Sequence, residues 1–248
     1  MARVLTGLIK PRSGQVLLRG RPLPPLGLGG RSPEWTGVQM VFQDPGSSLN
    51  PRRRVGAQIA DGIATARLRQ AYQRRHRAEA ADADQSADVQ RAPATPERWL
   101  ERIGLTARDA DRFPRHFSGG QRQRIAAARA LAARPTVLIA DEPISALDAS
   151  TQAKVAHLMC SMASDLGASL LLISHDLSIV RLVADRLIVM YQGHVVERGQ
   201  TEQVWSDPLH PYTKALLGAI PAPDGAGRLP EAAGPDVAYP LEEAVRPD

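Results

Sequence analysis

The sequence predicts an α/β protein built on a mostly parallel sheet with helices on its faces. Two observations predict it. From Phe117 onward, helical periodicity alternates strictly with short apolar runs, the order that successive βα units impose. The run Val137-Leu138-Ile139-Ala140 is apolar at every position instead of every second one, as a strand covered on both faces requires. A chain of 248 residues with 43% hydrophobic and 23% charged residues has the composition of a folded globular protein, so wholesale disorder is excluded.

Each element follows from local pattern. Val4, Leu5, Leu8 and Ile9 recur at helical spacing, so residues 1–10 are expected as helical turns stopped by Pro11. Residues 14–20, between glycines, read as a short strand, 22–30 as loop, and 37–43 as a better strand ended by Asp44-Pro45-Gly46. From 55 to about 104 the pattern is helical. Val55, Ile59 and Ile63 share one face, and Trp99, Leu100 and Ile103 form another after a helix start at Thr95-Pro96-Glu97. Between them, residues 64–94 are mainly Arg, Ala, Asp and Gln and read as a solvated helical arm. Helices are then expected over 119–133, 150–166, 176–184 and 211–220, and strands over 136–140, 168–173, 186–191 and 193–197. Pro221, Pro223, Pro230, Pro235, Pro240 and Pro247 make residues 221–248 an expected unpacked tail.

Composition removes several functions. The lone cysteine, Cys160, excludes an intrachain disulfide framework, a cysteine-cluster zinc site and an iron–sulfur cluster held by this chain alone. No apolar run approaches the ~18 residues of a membrane span. A net charge of +5 raises the question of nucleic acid, but acidic residues are interspersed throughout. Aromatic residues are just 4% and do not interleave with Arg52-Arg53-Arg54 or Arg74-Arg75, so base stacking has no platform. No nucleic-acid partner is expected.

The residues that carry chemistry collect at strand and helix ends. Asp141 and Glu142 follow the apolar run directly, placing two carboxylates where open α/β sheets bind ligands. One such acid can hold Mg²⁺ through water, and a second can orient or deprotonate an attacking water; a plain strand and turn has the same pattern. Ser118-Gly119-Gly120-Gln121 opens a helix with a serine cap and two glycines, which permits an anion such as phosphate to approach backbone N–H groups. A capped helix without a ligand reads identically. Asp148 follows the acids by six residues, His175 ends the next apolar strand, and Gln43 ends another, where its amide can reach a metal or water.

These residues together resemble the ATP-binding-cassette ATPases. Residues 118–124 resemble the signature motif, Asp141-Glu142 the Walker B aspartate and catalytic glutamate, and Ser145-Ala146-Leu147-Asp148 the D-loop. His175 resembles the switch histidine and Gln43 the Q-loop glutamine, all in the family's order. The resemblance covers roughly residues 1–220. Val41-Phe42-Gln43-Asp44-Pro45, Ser48-Leu49-Asn50-Pro51-Arg52 and His210-Pro211-Tyr212-Thr213-Lys214 are similar to the oligopeptide, dipeptide and nickel importer subfamily. That group commonly has a cysteine-bearing C-terminal extension, and this tail carries no cysteine.

The resemblance implies a P-loop NTPase-like nucleotide-binding domain with a helical subdomain, using ATP and Mg²⁺. Residues 1–43 are expected as part of the ATPase core, 44–117 as a helical arm, 118–220 as signature helix and C-terminal core, and 221–248 as the tail. Glu142 is the implied general base, Asp141 holds Mg²⁺ through water, His175 steadies the γ-phosphate, and Gln43 couples metal and water to the arm. Ser118, Gly119, Gly120 and Gln121 complete the site of a second ATPase subunit, identical or different, with Asp148 in the intervening D-loop. Transmembrane permease subunits and, indirectly, an external solute-binding protein are further implied partners, at the cytoplasmic face of the membrane.

One expected part is missing from the 248 residues. The family's phosphate loop is Gly-x-x-x-x-Gly-Lys-Ser/Thr, yet Lys10, Lys154 and Lys214 precede Pro11, Val155 and Ala215. Residues 2–8 resemble the helix just after that loop, so the first strands and the loop are expected upstream of Met1. Charge-assisted bonds to phosphate contribute about 1.5–3 kcal/mol each, so this chain alone is expected to be impaired. The alternative is a non-enzymatic subunit that lends its signature motif to an intact ATPase.

Overall fold

The computed structural model describes residues 1–27, 31–44, 48–76, 92–220 and 238–244. The chain divides into two compact units, Met1–His175 and Asp176–Asp248.

The first unit opens with α1 (Ala2–Leu5), shorter than the helix expected over residues 1–10. Gly7, at φ +68°, takes the left-handed conformation that ends a helix, and its N–H bonds back to the Val4 carbonyl at 2.9 Å. Leu8 and Ile9, expected to face inward, are therefore exposed. The strand expected over 14–20 is instead a hairpin of β1 (Leu17–Leu18) and β2 (Arg21–Pro22). Arg19 and Gly20 turn it, both at positive φ, the hand that suits strand twist.

The frame of this unit is a parallel sheet of β3 (Val38–Val41), β4 (Val137–Asp141) and β5 (Ser169–Ile173), in that spatial order. The registers run from Val38↔Val137 to Val41↔Ala140 and from Val137↔Ser169 to Asp141↔Ile173. Leu138, Ile139 and Ala140 of the central strand are buried, as their unbroken apolar run predicts. Ala2, Val38, Met40 and Ile139 form a core cluster edged by Leu5, Phe42 and Ile173, so α1 covers part of one sheet face. Among the described residues β5 pairs only with β4, and Leu171 beside that open edge is 36% exposed.

The connection from β3 to β4 is helical. It contains α2 (Val55–His76), α3 (Pro96–Arg102) and α4 (Gly119–Ala132). Val55, Ile59 and Ile63 of α2 are buried on the face that their spacing predicts, and so are Trp99, Leu100 and Ile103. Thr95 caps α3 by accepting from the Arg98 N–H, with Pro96 in the first turn where no N–H is needed. Residues 77–91 of the expected arm lie outside the described residues. Helix α5 (Ala149–Asp165) then returns the chain from β4 to β5.

The second unit holds α6 (Leu177–Val183), β6 (Arg186–Tyr191), β7 (His194–Gln200), α7 (Thr201–Ser206) and α8 (Pro211–Gly218). The parallel pairing of the mostly parallel sheet does not extend to β6 and β7, which form an antiparallel hairpin. Gln192 and Gly193, both at positive φ, leave too short a connection for a parallel crossover. Residues 238–244 also depart from the expected unpacked tail. Tyr239 meets Tyr191 and Tyr212 edge-on, with ring centroids 5.5 and 5.4 Å away, and the Ala244 N–H bonds to the Val196 carbonyl at 2.8 Å. The imidazole of His210, buried, accepts from the Tyr212 N–H at Nδ1 (3.1 Å), which leaves Nε2–H to donate to the Pro240 carbonyl at 3.0 Å. Residues 221–237 of that tail lie outside the described residues.

Helices α2 and α4 pack closely at Gly62. A Cβ on Gly62 would lie 2.4 Å from the Arg129 carbonyl oxygen and 2.9 Å from the Ala132 Cβ. Gly62→Ala is therefore expected to destabilise the chain by about 1–3 kcal/mol, read as a lower urea midpoint with unchanged slope.

Candidate functional site

The ladder decides where the candidate groups stand. Because β3, β4 and β5 run parallel and in register, their C-terminal ends form one edge of the sheet. Asp141 ends β4, Glu142 follows it, Gln43 stands two residues past β3, and His175 two residues past β5. Three segments far apart in sequence thus deliver an amide, two carboxylates and an imidazole to a common edge, as open α/β sheets do.

Within this edge one pair is in direct contact. His175 Nδ1 lies 2.8 Å from Glu142 Oε1, so an Nδ1–H tautomer donates to the carboxylate. The Glu142 side chain is 21% exposed and that of His175 is 76% exposed, so the pair is open to a ligand from the solvent side. Glu142 has φ +48°, the left-handed region that costs a non-glycine residue about 1 kcal/mol or more. The turn is held from both sides: the Glu142 N–H donates to the Ile173 carbonyl at 2.9 Å, and Ser145 Oγ donates to the Glu142 carbonyl at 3.2 Å. This strained turn carries the side chain off the strand axis and toward His175.

A second group surrounds the start of α4. Ser118 and Gln121 form a reciprocal capping box: Ser118 Oγ accepts from the Gln121 N–H at 3.3 Å, and Gln121 Oε1 accepts from the Ser118 N–H at 2.9 Å. Both side chains are thereby spent on the helix end, which leaves the first-turn amides of Gly119 and Gly120 as the donors suited to an anion. The glycines also permit close packing. A Cβ on Gly120 would sit 2.9 Å from Thr151 Cγ2, and one on Gly119 would sit 3.5 Å from Leu147 Cδ2.

The 145–151 segment links the two groups. Ser145 holds the Glu142 carbonyl, Leu147 and Thr151 meet the α4 glycines, and Asp148 caps α5 by accepting from the Thr151 N–H at 3.0 Å. Ser150 Oγ donates to the same carboxylate at 2.7 Å. Hydrogen bonds from Ser150 and then Thr151 hold the Asp148 carboxyl down to about 2. Ser145 and Leu147 belong to the D-loop-like run, with roles the sequence does not assign, whereas no motif pointed to Ser150 and Thr151. For the last two, the Asp-x-Ser-Thr spacing of a helix cap was an available signal.

Asp141, Glu142 and Gln43 offer oxygens suited to a hard cation at the shared edge, and no cluster of three or more His, Cys, Asp or Glu occurs among the described residues. That donor set suits Mg²⁺ held largely by phosphate and water, with one or two protein oxygens, and does not suit a protein-only cage. No described helix is long and apolar enough to cross a membrane.

Fold and site together define a nucleotide-binding cassette: residues 1–145 match the ABC transporter family, and the chain belongs to it. Residues 196–242 match the C-terminal region of oligopeptide/dipeptide transporters. The chain is 42% identical over 228 residues to the oligopeptide transport ATP-binding protein OppF of Salmonella typhimurium, covering 90% of this chain and 62% of that protein. It is 40% identical over 221 residues to the dipeptide transport ATP-binding protein DppF of Haemophilus influenzae, covering 89% and 62%. It thus spans 62% of the length of these curated relatives. Among solved structures, cbiO1 of Clostridium perfringens, part of the ABC transporter complex cbiONQ, superposes with a TM-score of 0.61 at 26% identity, covering 83% of this chain and 73% of that one. The dimeric cassette MJ0796, in a post-hydrolysis state bound to ADP and Pi, gives 0.55 at 25% identity, covering 81% and 79%.

The depressed Asp148 carboxyl has a signed consequence for stability. Its folded value lies below the unfolded one near 3.9, so its contribution is present above about pH 4 and is lost as pH falls toward 2. The difference in urea midpoint between the parent chain and Asp148→Ala is expected to be largest near neutrality and to shrink between about pH 4 and 2.

Proposed function

We propose that this chain is an ATP-binding and ATP-hydrolysing subunit energising an importer of peptides or related small solutes. The observation that carries the reading is the 2.8 Å contact between His175 and Glu142 at the edge where Asp141 also stands. The roles of the oligopeptide and dipeptide transport relatives support the choice of solute. The partners in this reading are a second ATPase subunit, transmembrane permease subunits and, indirectly, an external solute-binding protein. The subunit sits peripherally at the cytoplasmic face of the membrane.

Each residue then has a chemical task. Glu142 accepts a proton from the attacking water, and His175, donating to Oε1, orients that carboxylate and stands beside the phosphoryl group being transferred. Asp141 and Gln43 would hold Mg²⁺ through water, and the ion would supply charge neutralisation on the phosphate oxygens. Gly119 and Gly120 present amides, and Ser118 and Gln121 the cap that orders them, to nucleotide held by the opposing subunit. Asp148 keeps the start of α5 fixed behind them.

A second reading is favoured by one sequence fact: the 248 residues contain no Gly-x-x-x-x-Gly-Lys-Ser/Thr run. In it, the polypeptide of these residues is not itself a hydrolase and lends its signature face to a cassette that carries the phosphate loop. Titrating the 248-residue chain into such a cassette separates the two. Turnover by the chain alone supports the first reading, and turnover of the partner rising with no activity of the chain alone supports the second.

Where turnover is measured in the assembled importer, Glu142→Gln is expected to lower kcat by about 10²–10⁴-fold, the range for loss of a general base. ATP binding, followed by equilibrium dialysis, should be retained. Unaltered hydrolysis by Glu142→Gln would exclude the base assignment.

A further inference from the structure

Three arginines gather at the end of the sheet opposite Asp141. Arg69, on α2, is only 8% exposed. Its Nη2 donates to the Arg134 carbonyl, whereas its Nη1 is buried with no hydrogen-bond partner. Arg134 follows the end of α4 by two residues and is half-buried, and Arg19 turns the β1–β2 hairpin and is exposed. The Gly37 carbonyl accepts from the Thr136 N–H at 2.7 Å, and a Cβ on Gly37 would lie 3.9 Å from Leu18 Cδ2. The hairpin and the loop after α4 therefore meet where β4 begins. From Val137 to Asp141 that strand spans about 13 Å.

Burial, and then the Arg19 and Arg134 charges, pull the Arg69 guanidinium down to about 10, so it remains a cation at neutral pH. Among the described residues no carboxylate makes an ion pair with Arg19, Arg69 or Arg134. A buried cation is ordinarily paired, and a buried N–H left unmade carries the full cost of its desolvation. Here one N–H of Arg69 carries that cost, and two neighbouring positive charges add repulsion. A water molecule would meet the N–H and leave the repulsion, whereas a doubly charged oxyanion relieves both. The forked N–H groups of guanidinium match phosphate oxygens, and the rising burial from Arg19 through Arg134 to Arg69 gives such an anion a way in from solvent.

We propose that Arg69, Arg134 and Arg19 form a binding site for a phosphate-type dianion at the end of the sheet opposite Asp141. The site goes beyond the proposed function and does not depend on ATP turnover. A free phosphate ion and the headgroup of an anionic phospholipid share the chemistry it recognises.

The test is equilibrium dialysis of the full 248-residue chain against radiolabelled inorganic phosphate at fixed ionic strength. Arg69→Met, which keeps the stem and removes the guanidinium, is expected to weaken binding at least about tenfold. Arg19→Asn and Arg134→Asn place a side chain suited to left-handed backbone at φ +53° and +48°, so they test the site without straining the fold. Each should weaken binding about threefold or more. Phosphate should raise the melting temperature of the parent chain and not that of Arg69→Met. Sedimentation with phosphatidylcholine vesicles, with and without phosphatidate, assigns the source. Capture by phosphatidate vesicles that Arg69→Met abolishes supports the site with a headgroup as ligand, and phosphate binding without capture supports it with the free ion. A parent chain that shows neither phosphate binding nor capture overturns the site. So does phosphate affinity unchanged in all three variants, or an equal rise in melting temperature for the parent and Arg69→Met.

Discussion

Everything at the candidate site depends on the burial of β4 between two parallel neighbours. A strand apolar on both faces is covered in the middle of a sheet, and its pairing with β3 and β5 sets one register, from Val38↔Val137 to Val41↔Ala140 and from Val137↔Ser169 to Asp141↔Ile173. Asp141 and Glu142 are therefore held at one height relative to β3 and β5, whose own ends bring Gln43 and His175. The left-handed turn at Glu142 persists because the Ile173 carbonyl and Ser145 hydroxyl over-determine it.

The second constraint is the absence of side chains where helices meet. Gly62 admits the Arg129 backbone, Gly56 admits Ala110, and Gly120 admits Thr151. Alanine-rich α4 lets neighbours approach along its length, with Ala126, Ala127 and Ala128 all buried. Such close approaches leave little slack between the helices of this unit, as the composition, poor in aromatics and rich in alanine, permits.

Much of the frame was legible in the chain itself. The unbroken run 137–140, the Val55-Ile59-Ile63 face and the Thr95 and Ser118 caps all act over a few residues, where hydrophobic period and backbone hydrogen bonding are local. Three departures share one cause. The end of α1 at Gly7, the β1–β2 hairpin and the antiparallel β6–β7 pair each turn on positive φ at one or two residues. A helical apolar spacing continues past such a residue on paper though not in space. The return of Tyr239 and Ala244 onto the second unit was hidden for another reason: proline richness describes local stiffness and says nothing about a distant partner.

Residue chemistry and order along the chain were thus settled by sequence: two acids after an apolar strand, a glycine-led helix start, a histidine after the next strand. These are properties of neighbouring residues, and local physics suffices to read them. The 2.8 Å approach of His175 to Glu142 and the grip of Arg129 and Gln58 on the 48–53 segment were decided only by the tertiary structure. Those partners lie up to 81 residues apart, and no local pattern encodes which distant carbonyl or carboxylate a side chain will meet once the helices have packed.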